Sequence, residues 1–315
     1  MPDSNPDRKR SGRRDFLATC SAAAAAGLLG RSAVAAAEQP RAVLPTVSLG
    51  PYRVTRLIAG ANPIVGYSYL GPAMDQEMRA YFTPQQRLAF LQQCEREGIN
   101  THQFSQASKS IEAYRRLREQ GSKLQLICLN KKREDIKSLN EAARPIAMAH
   151  HGGVTDALFR AGRSGVVHDF VKAVRDAGLL AGVSSHNPDC IKRMADEDWP
   201  VDFFMTCFHF LSREKPPAGA TAAAVLEGPV VEPTFYKADP AAMCAVIRQV
   251  KQTCLAFKIL GAGRRCANQE TVREAFRFAF SHIKPGDAVI VGMYPRRFDQ
   301  VRANAEYARD LGAAT

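Results

Sequence analysis

The sequence lacks most of the features that mark membrane proteins, disulfide-stapled proteins and several enzyme classes. After residue 40, no segment approaches the ~18 consecutive apolar residues that a membrane helix needs. No two of the eight cysteines form a CxxC pair, and the seven that follow residue 37 are an odd, scattered set. The sequence has no P-loop, HExxH, GxSxG or EF-hand motif and no solenoid repeat. These absences argue against a disulfide framework and against stable membrane insertion.

The N-terminal segment has the order of parts of an export signal. A basic stretch, RKRSGRR at residues 8–14, places two arginines before DFL, and a weakly apolar run, ATCSAAAAAGLLG, follows. Small residues at 35–37 offer a cleavage site. This pattern predicts a twin-arginine signal peptide at residues 1–37, a single domain at 38–315, and a periplasmic or secreted protein carried by the twin-arginine export machinery. The alternative is a basic tail followed by an alanine-rich helix.

The chain is basic, with a formal net charge of +12 that falls to +9 without residues 1–37. The remaining positive charges are spread along the sequence rather than gathered in one run. We interpret them as a solvated surface that favours anionic small molecules, and not as a nucleic-acid site.

Short apolar segments alternate with amphipathic helical ones from residue 55 onward. A hairpin with a Gly-Pro turn is predicted first, at 47–54. The predicted strands of the main sheet are 55–60, 99–103, 124–129, 145–150, 181–185, 201–207, 254–260 and 288–292. Eight such βα units predict a (β/α)₈ TIM barrel in one α/β domain, with a doubly wound sheet as the alternative. The longest irregular connection, residues 211–236, is predicted to cover the barrel mouth as a lid, or to be a flexible insertion.

Several phrases, taken in their order along the chain, carry a family resemblance. They are the opening hairpin, GIN at 98–100, AGVSSHNPD at 181–189, VDFFMTCFHF at 201–210 and VIVGMYPRRFDQVRANAE at 289–306. In this order they resemble the aldo/keto reductases. The resemblance implies an oxidoreductase that binds NADP at the barrel mouth and reduces carbonyl compounds with an Asp, Tyr, Lys and His tetrad.

The tetrad is mostly replaced in this sequence. By the resemblance, the Asp position corresponds to Gln103, the Tyr position to Ser108, next to Lys109, and the Lys position to Asn130 or its neighbour Lys131. His151 is the one good match. An aliphatic hydroxyl is a far weaker acid than a phenol, so proton donation must differ from the family pattern.

The resemblance also implies cofactor contacts. Ser184 matches the residue that holds the nicotinamide amide, whereas Met205 replaces a glutamine. At the adenosine end, the spacing from Gly to Asn is about two residues longer than the family phrase, and a phosphate can be met by arginine. The implied contacts are Gly292, Arg296, Arg297, Gln300 and Asn304.

Strand alternation also selects the side chains that face the mouth. If Gln103 faces inward, as the resemblance implies, His102 faces the helices, and only one of His150 and His151 can face inward. The selected set is Gln103, Asn130, His151, His186, Cys207, His209 and Lys258. Lys258 lies in an apolar strand and is typical of a site, or else it reaches solvent as a surface lysine.

These residues support three functional hypotheses. In the leading one, an enzyme acts on a small carbonyl or sugar-like molecule with NADP, His151 polarises the substrate oxygen, and Lys109 or Lys258 stands at the proton donor's place. In the second, His151, His186 and His209 bind zinc or iron in a lyase, isomerase or hydrolase. The third is a non-catalytic barrel that binds a carbohydrate. Asp156, Arg160 and Arg163 are predicted to clamp a substrate or to cap the following helix.

Overall fold

The computed structural model describes residues 43–105, 110–228 and 233–313. The predicted signal peptide, with Cys20, lies outside these residues, and so do Ser108 and Lys109. No helix within the described part of the chain is long and apolar enough to cross a membrane.

Eight parallel strands close into a barrel, which confirms the predicted (β/α)₈ fold and excludes the doubly wound sheet. The strands pair in the order β10-β3-β4-β5-β6-β7-β8-β9, with the ends of the series joined by β10 and β9. Every predicted barrel strand is present, with ends shifted by up to three residues. The barrel strands are β3 Leu57–Gly60, β4 Thr101–Ser105, β5 Gln125–Asn130, β6 Ala147–His150, β7 Leu180–Ser185, β8 Phe203–Cys207, β9 Thr253–Phe257 and β10 Ala288–Gly292.

The predicted hairpin closes the bottom of the barrel. It consists of β1 Thr46–Leu49 and β2 Tyr52–Thr55, which pair antiparallel. Val47, Leu49 and Val54 join the apolar cluster that fills the barrel interior. Because the hairpin contacts the first residues of the strands, it leaves the opposite end, where the strands finish, open to substrate.

The helices form an outer layer against the second face of the strands. One of them, Pro84–Arg96, begins after a capping threonine, where the Thr83 hydroxyl accepts a hydrogen bond from the amide of Gln86 at 3.2 Å. The helices are Pro72–Tyr81, Pro84–Arg96, Ile111–Glu119, Ile136–Ala143, Gly152–Arg160, Ser164–Asp176, Pro188–Asp196, Asp239–Ile247, Gln269–His282 and Gln300–Leu311. Short 3₁₀ turns occur at Pro63–Val65, Arg133–Asp135, Ala222–Ala224 and Gly261–Gly263.

The long connection after β8 packs on the mouth, as the lid hypothesis predicts. Within it, Val225 and Tyr236 form an isolated antiparallel bridge. Leu226 and Phe235 are buried by this arrangement. The segment from 211 to 238, of which 229–232 are not described, is called the lid below.

The described cysteines are all unpaired. Six of the seven are buried, as predicted for small apolar packing residues, and Cys266 is exposed.

The interior packing leaves no room for a side chain at Gly182. A Cβ at Gly182 of β7 would lie 2.3 Å from the ring of Phe203 on β8, in the middle of the barrel. A Cβ at Gly165, at the start of helix Ser164–Asp176, would have no other atom within 4 Å.

We therefore expect Gly182→Ala to lower the free energy of unfolding by about 1–3 kcal/mol, because the ring must move within a packed interior. Gly165→Ala is the control and should be neutral or slightly stabilising, since alanine favours helix by about 1 kcal/mol. Urea unfolding measures both. Equal stability of the two variants would contradict the interior packing.

Candidate active site at the barrel mouth

Alternation along β4 and β6 places the side chains as predicted. His102 faces the helices, where its ring nitrogens lie 2.9 Å from the carbonyl oxygen of Ala59 and 3.2 Å from the hydroxyl of Tyr114. Gln103 shares the parity of the inward positions and is buried. His150 also faces outward, 2.8 Å from the Thr155 hydroxyl, so His151 is the imidazole that β6 delivers to the mouth.

Asn130 is a structural residue, so its assignment to the mouth was wrong. It is fully buried, its Nδ2 donates to the carbonyl of Lys132 at 2.8 Å, and its Oδ1 accepts from the amide of Lys132. The reason is parity: Ile127 packs inside the barrel, so Asn130 falls on the outer face. Lys131, the other residue considered at this position, is close enough for its charge to lower the pKa of His151.

Asp156 and His186 form a buried carboxylate–imidazole pair. Asp156 Oδ2 lies 3.0 Å from His186 Nδ1 and accepts a second bond from the His186 amide at 3.0 Å. Ser185 donates its hydroxyl to Asp156 Oδ1. Burial raises the pKa of Asp156, but these hydrogen bonds outweigh it and leave the pKa below its ordinary value. The carboxylate is therefore ionised, and it holds a neutral His186 with its lone pair on Nε2.

His209 lies where the lid meets the mouth. Its ring packs against Phe235, with centroids 4.9 Å apart, and its Nδ1 is buried without a hydrogen-bond partner among the described residues. Arg264 stacks on the same phenyl ring, 3.9 Å from its centroid. The lid thus shields this side of the mouth from water.

Lys258 enters the mouth through a left-handed backbone conformation. Inward residues of β9 include Leu255, so simple alternation would direct Lys258 outward. Its φ of +59° ends the strand at Phe257, three residues before the predicted end, and redirects the side chain. Protein surrounds the ammonium, although part of the side chain stays accessible, as expected in a concave cavity. A non-glycine residue in this region is uncommon and is typical of a functional site.

Two tyrosines at the mouth were missed from the sequence. Tyr69, in the loop after β3, has a φ of +60° and places its ring 4.7 Å below the Lys258 Nζ. Tyr67 packs edge-on against it, with ring centroids 4.6 Å apart. Burial raises the pKa of Tyr69 to about 12. The phrase GYSYLG at 66–71 was the available signal, because a loop after a barrel strand opens on the mouth.

Burial keeps the mouth imidazoles neutral. Desolvation lowers the pKa of His151 to about 4, and the positive charges of Lys131 and Lys258 add to the effect. Desolvation likewise lowers the pKa of His209 to about 4. Neutral imidazoles can donate a hydrogen bond to a substrate oxygen or accept a proton at neutral pH.

The proposed three-histidine metal site is not formed. No group of three His, Cys, Asp or Glu side chains in residues 43–105, 110–228 and 233–313 is arranged to hold a metal ion. Asp156 orients the ring of His186 through Nδ1, and the ring of His209 is packed against Phe235 of the lid. His151, His186 and His209 therefore do not act as one ligand set.

The residues expected at the adenosine end lie together after β10, but they already have partners. Glu77 pairs with Arg296 at 3.1 Å and with Arg297 at 3.7 Å, and these side chains are 49% and 76% exposed. The Gln300 side-chain oxygen accepts from the Tyr294 amide at 2.8 Å. Further residues of the implied set are Gly292, at the end of β10, Asn304, buried in the last helix, and Ser184, buried at the end of β7.

The expected substrate clamp does not form at the mouth. A cavity of about 370 Å³ lies beside Asp156, between helix Gly152–Arg160 and the first residues of the lid. Arg160 pairs there with Glu214 at 3.0 Å, and Arg163 is exposed at the start of the next helix. Asp156 serves His186 instead of capping a helix.

Comparison with known proteins agrees with this architecture. No family model matches the sequence, and no curated protein is detectably similar to it. PA4992 of Pseudomonas aeruginosa, assigned as an aldo-keto reductase, is 16% identical with a TM-score of 0.56, over 87% of this chain and 99% of that one. The chain has the fold of these reductases. The holo form of an aldo-keto reductase from Bacillus halodurans is 12% identical (TM-score 0.52, covering 84% and 90%), as is a glycerol dehydrogenase from Gluconobacter oxydans (0.51, covering 83% and 89%).

The Asp156–His186 pair yields a first prediction for the site. We expect Asp156→Asn to remove the charge that favours the His186 imidazolium and to lower the pKa of His186 further, as measured by NMR titration of its ring. Stability should fall by about 1–3 kcal/mol because buried donors lose their acceptor. Asp189→Asn, an exposed carboxylate nearby, is the control. An unchanged His186 titration would contradict the pairing.

Acid should destabilise the fold through His102. Desolvation lowers its pKa to about 4 from 6.5, so the unfolded chain binds a proton that the folded chain refuses. The contribution of the neutral His102 to the free energy of unfolding is complete above pH 6.5. It is lost as the pH falls toward 4, by on the order of 2 kcal/mol at pH 5. Urea unfolding at pH 7.5 and pH 5 measures the loss. It should be smaller in His102→Gln, and an equal loss in that variant would exclude His102 as its source.

Proposed function

We propose that the protein is an exported, aldo/keto reductase-like oxidoreductase that acts on a small carbonyl or sugar-like compound with NADP. The observation that supports it most is that Lys258 lies close enough to His151 for its charge to lower the pKa of the imidazole, at the mouth of a barrel with the fold of the aldo-keto reductases. Fold alone is compatible with many activities, so the proposed activity depends on these side chains.

The side chains at the mouth are suited to activate a carbonyl group, to protonate its oxygen and to exclude water. His151 is neutral and donates a hydrogen bond to the carbonyl oxygen, which makes the carbon more electrophilic. The Lys258 ammonium, whose pKa is lowered by burial, is a stronger acid than an exposed lysine and gives its proton to the same oxygen. Phe235 and Leu226 of the lid keep water away from the developing alkoxide.

The residues expected to hold NADP fit the cofactor in part. Ser184 is buried at the mouth beside His186, where the resemblance puts the nicotinamide amide. Arg296 and Arg297 share Glu77, but their exposed guanidinium groups keep donors available for a phosphate. When bound, NADPH supplies a hydride to the carbonyl carbon.

Export and substrate identity are part of the proposal. The twin-arginine pattern of residues 8–14 supports folding before export, which suits a protein that must carry a dinucleotide. Lys131, Lys258 and Arg265 place positive charge around the mouth, which favours small carbonyl compounds that carry hydroxyl or acidic groups.

Exchange of both arginines for serine tests the cofactor. We expect Arg296→Ser with Arg297→Ser to weaken NADPH binding by about 10-fold and to leave NADH binding unchanged, because only NADPH carries the extra phosphate. Nicotinamide fluorescence measures both affinities. Arg302→Ser, on the following helix and paired with Glu306, is the control.

Two outcomes would contradict the proposal. If neither nucleotide binds the unaltered protein at millimolar concentration, it is not a nicotinamide enzyme. If NADPH binds but is not oxidised in the presence of small aldehydes, ketones or oxidised sugars, the barrel is a binding protein.

A further inference from the structure

Lys258 has surroundings that an ordinary structural or surface lysine does not have. Its Nζ lies between two aromatic rings, 4.7 Å from the centroid of Tyr69 and 4.9 Å from that of Phe257. Among the described residues, the Lys258 ammonium forms no ion pair and no hydrogen bond, and it contacts these two rings instead. Buried lysines elsewhere in proteins normally have a carboxylate partner.

Two strained backbone conformations bring this contact about. Tyr69 has a φ of +60° and Lys258 a φ of +59°, and they come from the loops after β3 and after β9, the two strands that pair with β10. Left-handed conformations of non-glycine residues persist only where the surrounding structure maintains them. The fold therefore maintains an unfavourable backbone at both ends of the contact, which a packing role for Lys258 does not require.

The Lys258 ammonium loses its proton more readily than that of an exposed lysine; its protonated form is the acid of the proposed carbonyl reduction, and its deprotonated form is a nucleophile. Burial lowers the pKa of the Lys258 ammonium, and the opposing influences come from Cys207 and Tyr67, which are not ionised at neutral pH. The imidazoles that Lys258 influences, His151, His186 and His209, are neutral as well. No formal negative charge is thus directed at the amine, and a desolvated lysine of this kind is a nucleophile.

We propose that Lys258 attacks the carbonyl carbon of a small aldehyde or ketone and forms a Schiff base with it. The proposal takes the substrate class, a carbonyl compound, from the proposed function. It does not require a nicotinamide cofactor, because imine formation is not a redox step. It assigns to the barrel a covalent activity of the kind that precedes aldol cleavage, dehydration or decarboxylation.

The step balances with the side chains at the mouth. The lone pair of the neutral Lys258 Nζ forms the N–C bond, and the π pair of the carbonyl moves to its oxygen. This oxygen takes up the proton that the nitrogen releases, while His151 hydrogen-bonds to the oxygen. The carbinolamine then loses its hydroxyl group to give an iminium ion, and His186 Nε2 takes the second proton from that nitrogen and passes it to the departing oxygen. The products are one imine and one water.

The aromatic rings have a role in this step. The protonated imine is a cation at the position of Nζ, and the faces of Tyr69 and Phe257 attract a cation there. They attract the ammonium in the same way, and burial is what opposes that charged form. The rings therefore stabilise the iminium ion that forms as the hydroxyl group leaves.

Reductive trapping tests the proposal without any nucleotide. The full-length protein is incubated with glycolaldehyde, pyruvate or dihydroxyacetone, reduced briefly with borohydride, digested and mapped by mass spectrometry. We expect the reduced adduct at Lys258 to exceed that at the exposed Lys251 by about 10-fold, because a neutral, positioned amine reacts faster than a solvated ammonium. Borohydride fixes the imine as a stable secondary amine.

Matched variants complete the experiment. Lys258→Arg keeps the positive charge but cannot form the imine, so the adduct should disappear, whereas Lys251→Arg should leave it unchanged. Mapping of the unaltered protein remains decisive even if Lys258→Arg does not fold. A uniform distribution of adducts over surface lysines, or no adduct at Lys258 with any of the three carbonyl compounds, overturns the proposal. NADPH is absent from the trapping experiment, so a failure to form the adduct does not bear on nucleotide binding. A failure to bind nucleotide likewise does not bear on adduct formation.

Discussion

The closed ladder of main-chain hydrogen bonds around the barrel is the constraint on which the rest of the structure depends. Strands that run parallel must all finish at the same rim, so residues from distant parts of the sequence become neighbours there. His151, His186, His209 and Lys258 come from four different strand ends and have no local reason to meet. The hairpin β1–β2 closes the other end with apolar side chains, which leaves the rim as the open face.

Desolvation is the second physical effect, and it determines the chemistry available at that rim. A polar group that is surrounded by protein loses its hydration, so the charged form of an imidazole or an amine is disfavoured. The mouth consequently holds neutral histidines beside a lysine with a lowered pKa. A buried carboxylate near them, Asp156, stays ionised because Ser185 and His186 donate hydrogen bonds to it. A site of this kind handles protons at neutral pH and accepts an uncharged carbonyl group.

Alternation along strands was a sound guide wherever the strand was regular. It separated His102 from Gln103 and His150 from His151, because successive side chains of an extended chain point to opposite faces. It also exposes the error at Asn130, whose parity relative to Ile127 places it outside the barrel. The two residues that break the pattern, Tyr69 and Lys258, owe their positions to positive φ values. Such values follow from the surrounding loops, and no periodicity predicts them.

By itself, the sequence determined the class of fold, the number of barrel units, the closing hairpin and the set of histidines at the strand ends. Apolar spacing, turn residues and helix caps are local properties, and such properties can be recognised in the sequence alone. Only the tertiary structure decided which side chains meet: the Asp156–His186 pair, the contact of Lys258 with Tyr69, and the packing of Phe235 on His209. The physical reason is that these contacts join segments separated by 26 to 189 residues, through backbone turns and lid packing that depend on the closed barrel.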